Sequence, residues 1–209
     1  IKTPNTEGES SIYRNSDSFE FAQRQAKSLC TSTLVPPSYQ GQEGLPNCLV
    51  ALEMSKRMNL SPLTVMQNLN VIHGRPSWSA QFITSIIIGC DRFKNFDYVV
   101  EGSGESLSVQ CTAIRLEDNK LVKGTAVTMK MARSEGWTKN PKYTSMPDLM
   151  LRNRAATFFG RQYIPDLLLG VQTSEEVIDI ESEPINVSES PDFREQKKPK
   201  QEDNDDNQF

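Results

Sequence analysis

One histidine, His73, serves all 209 residues, and that scarcity removes most nucleophile-and-base chemistry. A Ser–His–Asp or Cys–His site would have to use His73, which falls in a turn-like His73-Gly74 pair with no nucleophile motif around it. The four cysteines, Cys30, Cys48, Cys90 and Cys111, are scattered. No pair has zinc-ligand spacing and each lies among apolar residues, so they read as buried thiols. There is no G-x-x-x-x-G-K-S/T phosphate loop. Gly102-Ser103-Gly104-Glu105 lacks a third glycine and precedes a strand-like run, so it reads as a turn. No carboxylate cluster suits two-metal phosphoryl chemistry. No apolar run approaches the roughly 18–20 residues that span a bilayer, and residues 1–18 hold no apolar signal core. These absences describe a soluble, cytoplasmic binding protein: no enzyme, no cofactor, no metal and no membrane partner.

What is present is charge, unevenly placed. The formal total is −4. Between Lys120 and Arg161 nine basic residues face only Glu135 and Asp148, a local net of +7. From Asp179 to Phe209 ten acidic and four basic residues net −6. An acidic tail therefore masks a locally basic body.

The periodicities predict an α+β chain with one domain over 17–180, between a disordered leader (1–16) and an acidic disordered tail (181–209). Ser16 or Asp17 caps a helix with the stripe Phe19, Ala22, Ala26, Leu29. A loop covers Thr31 to Gly44, and Pro46 opens a second helix carrying Cys48, Leu49 and Leu52. Ser61-Pro62 starts a short helix to about Gln67. Leu69 to Ile72 and Arg75 to Trp78 form a small hairpin, followed by a helix with Phe82, Ile83, Ile86 and Ile87. Asp97 to Glu101, Leu107 to Leu116 and Leu121 to Lys130 read as a three-stranded antiparallel meander. A polar loop from Thr138 to Thr144 leads to a long basic helix packed on that sheet, with Ser145 and Asp148 as a capping-box-like start and Pro165 as its stop. Thr173 with Glu176 starts a last short helix.

The segment Met150 to Arg161 carries the candidate chemistry. Arg154 and Arg161 are seven apart, two helical turns, and project from one side. Guanidinium groups in a row can contact successive phosphates of a nucleic-acid strand. Arg152, Arg154 and Arg161, with Lys130, Arg133, Lys139 and Lys142, are the candidate phosphate contacts. As groove-facing groups, the arginines should contribute little to folding. Trp78, Phe82, Phe158 and Phe159 stand at helical spacing beside Ile and Leu, which favours core packing over base stacking. Trp137, beside Thr138, Lys139 and Lys142, is the candidate exposed aromatic.

Three blocks in order resemble the RecT family of phage single-strand annealing proteins, to which the Beta protein of phage lambda is related. They are Asn59-Leu60-Ser61-Pro62 through Trp78-Ser79-Ala80-Gln81-Phe82; Met131-Ala132-Arg133-Ser134-Glu135-Gly136-Trp137; and Met146-Pro147-Asp148-Leu149-Met150-Leu151-Arg152-Asn153-Arg154-Ala155 on to Pro165-Asp166 and Thr173-Ser174-Glu175-Glu176-Val177. The resemblance runs from about Phe19 to Ile178. It implies an ATP-independent protein that binds single-stranded DNA, pairs it with a complementary strand and holds the annealed duplex. It implies homo-oligomeric rings or helical filaments and a phage 5′→3′ exonuclease as working partner, in a bacterial host cell near the nucleoid. By the same resemblance, Arg152, Arg154 and Arg161 contact the DNA backbone. Asp148 departs from the family pattern, where a lysine stands in the lambda protein, and reads instead as a cap. The physics agrees: annealing needs phosphates gripped and base edges left open, and needs no nucleotide hydrolysis. An alternative is a DNA-associated adaptor that recruits an exonuclease or a host single-strand-binding protein. A third is an enzyme using His73.

Overall fold

A computed structural model describes residues 11–180, and the tail expected over 181–209 lies outside them. The chain is α+β, with helices around two small antiparallel sheets. Residues 1–10 of the expected leader also lie outside the described residues, whereas residues 11–16, expected in that leader, are placed against the body. Ile12 is fully buried, and its amide and the Ser11 hydroxyl both donate to the Glu53 carboxylate (2.8 and 3.1 Å). One apolar residue with a hydrogen-bonded anchor is enough to hold residues 11–16 on the body.

Helix α1 (Ser16–Cys30) is capped by Asn15, one residue before the expected caps; its Oδ1 accepts from the Ser18 amide at 2.8 Å. It packs on α2 (Gly41–Met58), which begins five residues earlier than expected and carries Pro46 inside it. Two features permit that early start. Gly41 has φ +71, and Gly44 lies so close to the Tyr39 backbone that a Cβ there would clash. Helix α3 (Pro62–Asn68), strands β1 (Leu69–Ile72) and β2 (Arg75–Trp78), and α4 (Ala80–Gly89) follow where the periodicity puts them.

The larger sheet departs from a plain three-stranded meander. Strand β3 (Phe93–Glu101) starts earlier than expected because Phe93 is buried edge-on against Phe159, with ring centroids 5.3 Å apart. The pairing shifts register between Lys94 and Asp97, where Asn95 has φ +54. Strand β4 (Ser108–Arg115) pairs with β3 along its whole length. On its other edge the expected single strand is broken into β5 (Leu121–Lys123) and β6 (Val127–Thr128), making four strands. The break is where Gly124 passes over Phe159; a Cβ there would sit 3.1 Å from the Phe159 ring. Met129 to Lys130, read as strand, begins helix α5 (Met129–Ser134), capped by Thr128 Oγ1, which accepts from the Met131 amide at 3.0 Å. A strand end followed by a helix start produces the same alternation of buried Val127 and Met129 as a strand would.

The expected polar loop contains a 3-10 turn at Trp137–Lys139 and helix α6 (Lys142–Ser145). Helix α7 (Pro147–Tyr163) starts at Pro147 without a side-chain cap; Ser145 closes α6 instead. Its buried side, Leu151, Ala155, Ala156, Phe159 and Gly160, packs on β4 and α4. A Cβ on Gly160 would stand 2.9 Å from Ile83, so the α4–α7 crossing needs glycine. Helix α8 (Ser174–Ile180) opens on a Thr173–Glu176 capping box: the Thr173 amide donates to Glu176 Oε2 at 3.0 Å. Among the described residues no helix is long and apolar enough to cross a membrane.

Candidate nucleic-acid interface

The three arginines of α7 take three different positions. Arg152 donates through Nε to Asp148 Oδ2 at 2.8 Å and lies over the Tyr98 ring of β3, 5.1 Å from its centroid. This i,i+4 pair replaces the cap expected of Asp148. Arg154 is 4 % exposed. Its Nε donates to the Tyr143 hydroxyl at 3.1 Å, its Nη2 to the Asp179 carboxylate, and its guanidinium lies 4.3 Å from the centre of the Trp137 ring. Arg161 is about half exposed and donates to Glu176, whose other oxygen serves the α8 cap.

Arg154 and Arg161 do share one side of α7, as their spacing requires. That side is answered by carboxylates of α8, Arg154 by Asp179 and Arg161 by Glu176, in opposite chain order. Arg154 therefore corrects the expectation of a groove-facing group that contributes little to folding. It is a buried cross-link between α6, α7 and α8. Burial pulls its pKa down, but Tyr143 and Asp179 outweigh that and the net shift is upward. Burial raises the Tyr143 hydroxyl in turn, while the Arg154 charge opposes the rise.

Trp137 is the second correction. It is 8 % exposed, held between Arg154 on its face, Tyr143 and the edge of Phe158. An aromatic ring beside a desolvated guanidinium gains both apolar burial and cation–π attraction, and the neighbouring lysines do not keep it in water. Trp78 and Phe159 are fully buried, and Trp78 Nε1 donates to the Leu168 carbonyl at 3.0 Å.

The lysines behave differently. Lys130 on α5, Lys139 at the end of the 3-10 turn and Lys142 at the start of α6 are exposed, and their side chains have no carboxylate partner among the described residues. They lie along one connection that leaves the sheet edge at β6 and enters α7. Arg133, on the same connection, pairs with Glu105, but both are more than half exposed, so solvent keeps that pair weak and exchangeable. Lys123 on β5 is also exposed and unmatched among the described residues; sequence reasoning counted its charge without placing it in the site. Of the nine cations between Lys120 and Arg161, those with no carboxylate partner among the described residues are all lysines, whereas all three α7 arginines are matched.

A cleft of about 310 Å³ lies between the connection and α8, lined by Trp137, Lys139, Tyr143 and Arg154 on one wall and by Glu175 and Asp179 on the other. Glu176 and Asp179 were legible as a cap and as tail acidity. Their role as partners of the arginine row was not. His73 occupies the exposed β1–β2 turn with φ +49. Among the described residues no group of three His, Cys, Asp or Glu could hold a metal. Comparison of the chain with protein-family models, with curated proteins and with solved structures found no match.

Proposed function

We propose that this chain is an ATP-independent annealing protein that holds single-stranded DNA by its phosphates and promotes pairing with a complementary strand. The observation that carries the reading is the run of exposed lysines, Lys130, Lys139 and Lys142, on one connection, with no carboxylate partner among the described residues. Ammonium groups on flexible stems attract phosphates without selecting bases, which is what pairing of arbitrary sequences demands. Arg133 joins them by exchanging Glu105 for a phosphate. In this reading β3 to β6 with α7 form the sheet-and-helix core of a strand-annealing protein. Arg152 and Arg154 then serve mainly to build that core. Base pairing and stacking supply about 1.4 kcal/mol per step, so no nucleotide is consumed. The same reading carries the annealed duplex as product, assembly of many copies into a ring or helical filament, and an exonuclease and a host single-strand-binding protein as neighbours in the cell.

The test is to mix complementary oligonucleotides with the protein, without nucleotide or magnesium. Duplex formation should accelerate, and it should slow again when Lys130, Lys139 and Lys142 are all replaced by Ala. No acceleration over the spontaneous rate at any protein concentration would sink the reading.

A further inference from the structure

We infer that the cleft between α8 and the 136–143 segment is a phosphate subsite, and that Asp179 stands in it where a phosphodiester of single-stranded DNA binds. The inference rests on the annealing reading and adds a regulated contact to it. Arg154 donates from its guanidinium to a carboxylate oxygen at the cleft, and the same fork can donate to a phosphate oxygen. Its orientation does not depend on Asp179 alone, because Tyr143 holds Nε and Trp137 lies against the guanidinium. Lys139 adds a second cation on the same wall.

The opposite wall is the part able to move. Asp179 is about one-third exposed, whereas Arg154 is buried, so water can receive the carboxylate far more readily than the guanidinium. Asp179 also lies in the last turn of α8, the end of a helix where negative charge is least favourable. Further anchors hold the start and middle of α8: Val177 is 1 % exposed, Thr173 pairs with Trp78 of β2, and Ser174 bonds Asn70 of β1. Those contacts keep the start of the helix docked when Asp179 exchanges for a phosphate.

The experiment compares the full-length protein with its Asp179→Asn variant, using oligothymidylate over a salt series. The variant should bind about tenfold or more tightly, the effect of one charge-assisted contact. Its plot of log affinity against log salt should steepen by roughly 0.7, one further phosphate on a single strand. Adding Lys139→Ala to Asp179→Asn should remove part of that gain. Unchanged affinity and slope in a folded Asp179→Asn protein would overturn the subsite. If that variant does not fold, hydrogen exchange in the unaltered protein decides. Amides near Asp179 should exchange faster with oligothymidylate bound, and equal or slower exchange overturns the subsite. A protein that binds no oligothymidylate at all, in any form, refutes the annealing reading itself. Lysine-dependent binding that Asp179→Asn leaves untouched refutes the subsite alone.

Discussion

Helix α7 and the connection that precedes it carry cations of opposite standing. On α7, Arg152, Arg154 and Arg161 each meet a carboxylate: Asp148 in the same helix, Asp179 and Glu176 in α8. On the connection, Lys130, Lys139 and Lys142 meet none among the described residues. The helix is the more ordered display of positive charge, yet the irregular segment has the charge that a polyanion can reach at once. A regular array is easy for another element to match, and a buried guanidinium left unmatched costs stability. Net charge over a window thus overstates what is available for binding.

The sharpest way to break this contrast is through the core side of α7. Phe159 is fully buried against Phe93, Phe96 and Tyr163. Phe159→Ala should lower unfolding stability by about 3–5 kcal/mol in urea titration, with DNA affinity falling only as the fold fails. A reduction of well under 1 kcal/mol would mean that α7 is not the structural element described.

Next in size is Arg154→Ala. It removes a buried guanidinium from Tyr143, Trp137 and Asp179, and about 2–4 kcal/mol of stability should go with it. Arg161→Ala, at a half-exposed position, should cost only about 1 kcal/mol once solvent screening is allowed for. Equal, negligible effects at both positions would return Arg154 to the class of freely exposed cations and erase the contrast.

The lysine connection should respond in binding, not in stability. Replacing Lys130, Lys139 and Lys142 together by Ala should change stability by no more than about 0.5 kcal/mol per site. The salt slope of DNA binding should fall by roughly 0.7 for each phosphate that is no longer neutralised. An unchanged slope would mean that these exposed cations are only a solvated surface.

The smallest effect separates closed core from open connection by chemistry. Burial pushes the Cys48 thiol up to about 11 and Cys111 up to about 12, from an ordinary 9. Both thiols should alkylate slowly with iodoacetamide at about pH 8 in native protein and fully in denaturant. A Lys139→Cys thiol should label quickly under the same native conditions. Because the folded state keeps Cys48 and Cys111 protonated, their contribution to stability is whole below pH 9. It declines as pH rises from there toward the folded values, as the unfolded thiols ionise first. Rapid native labelling of Cys111 would contradict its burial.

Much of the architecture was legible. The hairpin of β1 and β2 follows from two short runs about His73-Gly74, where both residues take positive φ. Helix α4 follows from Phe82, Ile83, Ile86 and Ile87, all buried as spaced. The stop at Pro165 and the Thr173–Glu176 start of α8 are local chemistry and were readable as such. Departures came where a distant group overrode a local preference. Phe159 passes beneath Gly124 and the third strand breaks; Tyr39 lies against Gly44 and α2 starts early. Trp137 had lysine neighbours in sequence but has Arg154, Tyr143 and Phe158 in space.

The arginine row shows where the division falls. The 3.6-residue period alone puts Arg154 and Arg161 on one side of a helix, because rotation per residue is a property of the backbone. What that side faces is not a local property. The answering carboxylates lie 25 and 15 residues further along, on a helix positioned by its contacts with β1 and β2. Composition and periodicity decide how much charge the chain carries and how it is spaced. Only the packing of α8 beside α7 decides which cations are already paired and which remain for a ligand, because pairing depends on distances of a few ångströms that no local pattern encodes.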